Sequence, residues 1–220
     1  MNSKEPRLPT LLKFYGKYLH NEITADFIQA VLSSYTVGTL ERLAEHNDPN
    51  VRRAALMALG FLGDYSSNAT VGRALTDIDR GVRLIAENNI RSLWMRVGTQ
   101  EQRHRLEKIA TKLKGKAFEE STQLATQLIL EAPWYAEAYF LRSSAAMEQK
   151  DYERAIRDSH QALEINPYHF PAAMAMGQCY LKTGETIMAL ESFRRALRLN
   201  PNLEAVRTQV SYLERQLEEM

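Results

Sequence analysis

The 220 residues carry 28 Lys and Arg against 27 Asp and Glu, and a 45% hydrophobic, 25% charged composition is that of a folded chain rather than a disordered one. Residues 1–98 hold 12 basic and 10 acidic side chains and the remainder 16 and 17, so neither half has the basic excess with which proteins grip a phosphate backbone. The most apolar run, AALMALGFLG at 54–63, is too short to span a bilayer, the start lacks the apolar stretch of a secretory signal, and one cysteine can form no internal disulfide. A cytoplasmic protein without membrane contact is expected.

In chain order, residues 1–23 read as an N-terminal tail and a possible helix, with little to hold the start up to about residue 8. Residues 24–35, TADFIQAVLSSY, set apolar side chains at helical spacing. An internal repeat follows: TLERLAEHNDPNVRRAALMALGFLGD (39–64) superimposes on TVGRALTDIDRGVRLIAENNIRSLWMR (70–96) at an offset of 31 residues. Thr39 falls on Thr70, Arg42 on Arg73, Asp48 on Asp79, Val51 on Val82, Arg52 on Arg83, Ala55 on Ala86 and Leu62 on Leu93. Asp48 and Asp79 stand where a carboxylate caps the second helix of each copy, Pro49 suits a first turn, and Val51, Ala55, Leu59 and Leu62 face inward. Arg52 and Arg83 follow those aspartates by four residues, a spacing for a local ion pair and for a ladder between neighbouring repeats. Asn89 shares a face with Ile85, Ile90, Leu93 and Trp94, so its amide must find a partner, expected to be a nearby loop carbonyl. The phrases DPNVRRAAL and DRGVRLIAE resemble HEAT repeats of the short bacterial kind, which implies stacked helix hairpins over 24–98.

Gly98 marks a seam, and Thr99 with Gln102 in TQEQ makes a capping box at the start of the next helix. The period then becomes 34: Pro133 in LEAPW, Pro167 in LEINP and Pro201 in LRLNP each follow a helical apolar pattern, where proline stops the ladder. Polar turns at EQKDYERA and KTGETIMA divide each unit into two helices. Ala173, Met176, Gly177, Tyr180, Ala189, Phe193, Ala196 and Pro201 resemble the tetratricopeptide (TPR) signature, with Ala173 in place of its usual Trp and Met176 in place of Leu. The preceding unit has Tyr139, Ser143, Ala146 and Ser159 at the Trp, Gly, Tyr and Phe positions. Its Ala155, Ala162, Leu163, Asn166 and Pro167 keep register. AFEESTQLATQLILEAP (117–133) is the second helix of a further, degenerate unit. After Pro201, Leu203, Val206, Val210, Leu213 and Leu217 form one stripe opposite Arg207, Glu214, Arg215 and Glu218, as in a helix that closes an array. The same stripe would suit a coiled coil, so a monomer or a weak dimer through this C-terminal helix is expected.

The fold class is therefore all-α: a right-handed α-solenoid of antiparallel helix pairs, HEAT-like over 24–98 and continuing into a TPR-like part over 99–220 with its capping helix.

Chemistry is sparse. His20, His46, His104, His160 and His169 have no metal-ligand spacing, and Cys179 lies on a packing face beside no activating base. Asp77 with Asp79, and Asp151 with Glu153, fall at helix starts where carboxylates cap. Arg194, Arg195 and Arg198 read as a solvated outer face. No catalytic constellation, cofactor or metal site is expected. The TPR resemblance implies that the first helix of each pair lines a concave groove, which places Glu137, Phe140, Ser144, Met147 and Glu148 beside Met174, Gln178, Leu181 and Lys182. Arg103 and Leu106 flank them on one side, Thr208 and Tyr212 on the other. The expected function is a non-enzymatic interaction module or scaffold holding a peptide segment of a partner protein in that groove. The alternatives are a chaperone-lyase for pigment attachment, suggested by the resemblance to certain HEAT-like bacterial proteins, and nucleic-acid binding by the HEAT-like curve, which the charge balance disfavours.

Overall fold

A computed structural model describes residues 9–219, in which every regular element is helical. No helix among these residues is long and apolar enough to cross a membrane. The chain divides into two compact units between Leu93 and Trp94, five residues before the glycine that marks the seam in the sequence.

The first unit contains α1 (Leu11–Asn21), α2 (Thr24–Leu32), α3 (Val37–Leu43), α4 (Pro49–Leu62), a 3-10 turn at Tyr65–Ser67, α5 (Asn68–Ala74) and all but the last two residues of α6 (Arg80–Met95), Trp94 and Met95 belonging to the second. α1 gives the possible helix of the first 23 residues definite bounds, and the Tyr35 hydroxyl accepts from the Leu11 amide at its first turn (3.0 Å). The repeat is exact in its starts: α3 and α5 begin at 37 and 68, α4 and α6 at 49 and 80, both 31 apart. Asp48 accepts from the Asn50 amide (2.8 Å) and Asp79 from the Val82 amide (2.8 Å), so both cap as expected. Val51, Ala55 and Leu59 are buried; Leu62 is half-buried.

Arg52 forms the ladder in place of the local pair. Arg52 donates to both oxygens of Asp77 (2.8 and 2.7 Å) rather than to Asp48, and Arg53 to both oxygens of Asp79 (2.9 and 2.6 Å). The carboxylate of Asp48 is occupied by its cap, whereas the stacked hairpin offers Asp77 in a plane that the rigid guanidinium fork can match. Arg52 Nη1 also donates to the carbonyls of His46 (2.9 Å) and Asn47 (3.0 Å), and Arg83 Nη1 repeats this on Asp77 (2.9 Å) and Ile78 (3.2 Å). Each arginine thus satisfies carbonyls just beyond the preceding helix end. Asn89 finds a backbone carbonyl, as it must, but a helical one: Nδ2 donates to Leu56 O (3.1 Å). The approach depends on Gly60, where a Cβ would lie 2.3 Å from Asn89 Cγ.

The second unit contains α7 (Gln100–Lys114), α8 (Phe118–Glu131), α9 (Ala136–Glu148), α10 (Tyr152–Ile165), α11 (Phe170–Thr183), α12 (Thr186–Leu199) and α13 (Glu204–Glu218). α8, α10 and α12 begin at 118, 152 and 186, and α9, α11 and α13 at 136, 170 and 204, every step being 34. The Thr99–Gln102 capping box is formed in both directions. The helices α7, α9 and α11 end alike, on a residue in the left-handed region: Lys116 (φ 61°), Lys150 (φ 63°) and Gly184 (φ 83°). The following amides, of Ala117, Asp151 and Glu185, return to the carbonyls of Lys112, Ala146 and Tyr180 at 2.9, 2.9 and 2.8 Å, closing each helix by the same motif.

Backbones meet closely at Gly177, where a Cβ would lie 2.6 Å from the Phe193 ring. One hairpin earlier the two positions hold Ser143 and Ser159, whose buried hydroxyls hydrogen-bond at 2.6 Å. The weaker TPR match of that hairpin is therefore a paired exchange, glycine and ring for two small hydroxyls. On α13, Val206, Val210 and Leu213 are buried against Ala189, Leu190 and Phe193, and Glu214 pairs with Arg194 (2.6 Å).

Two predictions follow from this packing. Gly177→Ala forces the Phe193 ring out of its site and is expected to cost about 1–3 kcal/mol in urea unfolding. The hydrogen bonds from Arg53, together with those from backbone amides, hold the Asp79 carboxyl down from 3.8 to about 2. A carboxyl depressed in the folded state stabilises above its unfolded value and loses that contribution as pH falls through its folded one. Between roughly pH 4 and pH 2 the native chain should therefore lose stability more steeply than Asp79→Asn, measured by urea titration at stepped pH.

Candidate functional site

The expected groove residues and those flanking them do not share one environment. Glu137 belongs to the interior: it is 5% exposed, and its carboxylate accepts from His169 Nε2 at 2.9 Å. His169 is itself fully buried and caps α11, its Nδ1 accepting from the Ala172 amide at 3.1 Å. A backbone N–H can only donate, so the ring proton of the neutral imidazole sits on Nε2 and points at Glu137. The ring lies between two aromatics, stacked on Trp94 (4.6 Å, 13°) and tilted against Phe140 (4.7 Å, 53°). Phe140 is thereby half-buried and fixed in place. Leu106, expected to flank the groove, is fully buried in the core of α7, α8 and α9.

Ser144 and Met147 line one opening. With Glu148 they form one wall of a cavity of about 240 Å³ whose other wall is Leu113, Lys114, Lys116 and Phe118. Met147 and Glu148 also wall a second cavity, of about 340 Å³, with Lys150 and Tyr152 on one side and Gln178 and Lys182 on the other. The Ser144 hydroxyl donates to the Phe140 carbonyl (2.9 Å) and so turns inward along its own helix. Met174 and Leu181 are half-buried against the core of the last hairpin, while Thr208 and Tyr212 stand exposed on α13.

Sequence reasoning missed Leu113, Lys114, Lys116, Phe118, Lys150 and Tyr152. A signal for two of them was present: stepping back 34 residues from Gly184 lands on Lys150 and then on Lys116, the other two left-handed helix ends. Lys114, Lys116, Lys150 and Lys182 are all exposed, and none has a carboxylate at ion-pair distance among the described residues. Cys179 is fully buried, and burial pushes its thiol up to about 11, the setting of an inert packing residue.

Comparison with known proteins agrees with this architecture. A HEAT repeats family model matches residues 28–112 and a tetratricopeptide repeat model matches residues 146–209. Anaphase-promoting complex subunit 3 of Schizosaccharomyces pombe is 33% identical over 70 residues, 32% of this chain and 10% of that protein. Tetratricopeptide repeat protein 33 of Homo sapiens is 23% identical over 137 residues, 62% of this chain and 52% of that protein. The chain thus spans about half of the human relative and a tenth of the fission-yeast one. Among solved structures, the first TPR of Spaghetti (RPAP3), bound to the HSP90 peptide SRMEEVD, superimposes with a TM-score of 0.52 at 20% identity, over 56% of this chain and 97% of that one.

The buried cluster gives a test of its own. Glu137→Ala leaves the His169 N–H without an acceptor in a closed site, an expected loss of about 1–3 kcal/mol in unfolding free energy. Glu137→Gln, which keeps an acceptor oxygen, should recover most of it in the same measurement.

Proposed function

Because this chain is a HEAT-like and TPR repeat protein, we propose that it is a non-enzymatic interaction module whose TPR unit holds a peptide segment of a partner protein across α7, α9 and α11. The observation that carries this reading is the wall shared by the two cavities. Met147 and Glu148 separate two adjoining openings, so an extended segment lying over them finds successive sockets for its side chains. Leu113, Phe118, Met147 and Tyr152 supply adaptable apolar contact, and Lys114, Lys116, Lys150 and Lys182 surround it with unpaired cations. Phe140, Met174 and Leu181 back the lining helices from within, and Glu137 anchors α9 to the cap of α11 through His169. Thr208 and Tyr212 extend the same series of first helices onto α13. The Spaghetti TPR, a fold relative, is bound to the acidic peptide SRMEEVD, which suits a lysine-edged site of this kind.

Selection of a random 12-residue peptide library on the intact chain is the test. Enriched peptides should bind in fluorescence anisotropy with an affinity that falls about tenfold on Met147→Ala. Lys150→Gly separates binding from folding: relieving the left-handed lysine should raise stability by about 1 kcal/mol while binding weakens. Peptides indifferent to both changes would remove the groove from consideration.

A further inference from the structure

The hairpin α11–α12 contains a slot that the hairpin before it fills with its own side chains. In α9–α10, Arg142 donates to both oxygens of Asp158 (2.8 and 2.8 Å) and to Thr126 Oγ1 (3.1 Å), and its guanidinium carbon lies 5.7 Å from the centre of the Tyr139 ring. The paired side chains are only 15% and 8% exposed, so the space is occupied and mostly closed. Thirty-four residues on, Tyr139 is replaced by Ala173, Arg142 by Met176 and Asp158 by Ser192. Each exchange shortens a side chain, and all three replacements wall a cavity of about 240 Å³. An apolar cavity of about 150 Å³ suffices for a benzene ring.

The chemistry of the walls changes as well as their size. Tyr180 and Met188 stand where the preceding hairpin has Ala146 and Arg154, and Arg195 and Arg198 where it has Gln161 and Glu164. Met188 is 42% exposed and Ile187 beside it 63%, so the apolar lining runs out to the surface. Arg194 is taken by Glu214, but Arg195 and Arg198 have no ionic partner among the described residues. Glu191, on the same rim and four residues before Arg195, is not paired with it. The Ser192 hydroxyl is committed to the Met188 carbonyl (2.8 Å) and leaves the arginines as the available donors.

We propose that this slot is a second docking site, separate from the groove, for a partner segment that inserts an aromatic side chain and sets a carboxylate against Arg195 and Arg198. The ring is the group that the neighbouring hairpin supplies from Tyr139 and that Ala173 leaves out, the Tyr180 ring lining the slot from another position. The carboxylate is the group for which two guanidinium forks stand free. The three residues read at first as a solvated face thus divide, Arg194 into an ion pair with the terminal helix and the other two onto the rim of the slot.

The test uses the full chain with 13C-labelled methionine methyls and, as probe, 3-(4-hydroxyphenyl)propionate compared with its uncharged primary amide. Met176 and Met188 report the slot, Met147 the groove. The expected result is shifts confined to Met176 and Met188, with the amide about fivefold weaker. Arg195→Gln with Arg198→Gln, both on the surface of α12, should bring the carboxylate probe down to the level of the amide. Ala173→Tyr, where it folds, should abolish the shifts by supplying the ring in the chain. Equal affinity of carboxylate and amide, or shifts at Met147 in place of Met188, would overturn the proposal. So would Met176 and Met188 signals that move with protein concentration alone, which would mark a second copy as the occupant.

Discussion

The second unit rests on how close the two helices of a hairpin come to one another. At Gly177 the α11 backbone lies against the Phe193 ring with no room for a methyl group, and Ala189 and Ala196 on α12 are fully buried. The helix-to-helix distance is set there by what one position leaves out and the other puts in. The preceding hairpin meets the same demand with Ser143 and Ser159, whose hydrogen bond satisfies two hydroxyls that would otherwise be buried at a cost. The two hairpins meet with unlike chemistry while the 34-residue step stays constant from α8 to α13. That constancy places Met147, Lys150, Gln178 and Lys182 around one opening.

The first unit solves the analogous problem with charge. Arg52–Asp77 and Arg53–Asp79 join α4 to the turn before α6 and to the cap at its start, and the same carboxylates accept from backbone amides. An ion pair of this kind contributes through the carbonyls and amides it organises as much as through its own attraction, since partial burial offsets part of the Coulomb gain. Arg52 shows this best, because one guanidinium binds Asp77 and also satisfies two carbonyls beyond the end of α3. Among the described residues the second unit has one comparable pair, Arg142–Asp158, and the place where that pair is replaced is the place where space opens.

What was legible in the sequence was whatever repeats. The prolines at 133, 167 and 201, the caps at Asp48 and Asp79, the capping box at Thr99 and the stripe on α13 all follow from spacing, and the observed helices begin where those signals put them. What was not legible depends on contact between residues that no period links. Arg52 had Asp48 four residues away and Asp77 twenty-five away, and only the stacking of hairpins decides for the distant one. Glu137 and His169 are thirty-two apart, out of step with the repeat, so the pair left no trace in the pattern and Glu137 read as a surface residue. Lys116 and Lys150 were hidden differently: a left-handed helix end is expected of glycine, and only Gly184 advertised it.

These exceptions have a common logic. In an array whose units share one backbone, a residue that obeys the repeat reports on packing, and one that departs from it either is compensated nearby or is not. Ser143 departs and is compensated by Ser159. Lys150 departs at the expense of left-handed backbone strain, and the position it gains is on the wall of a cavity. Ala173, Met176 and Ser192 depart together, and a cavity remains beside them even with Tyr180 and Met188 on its wall, while Arg195 and Arg198 bring donors to its edge. Uncompensated departures are where such a chain stops serving its own stability, and there the chemistry left open describes what is to be received.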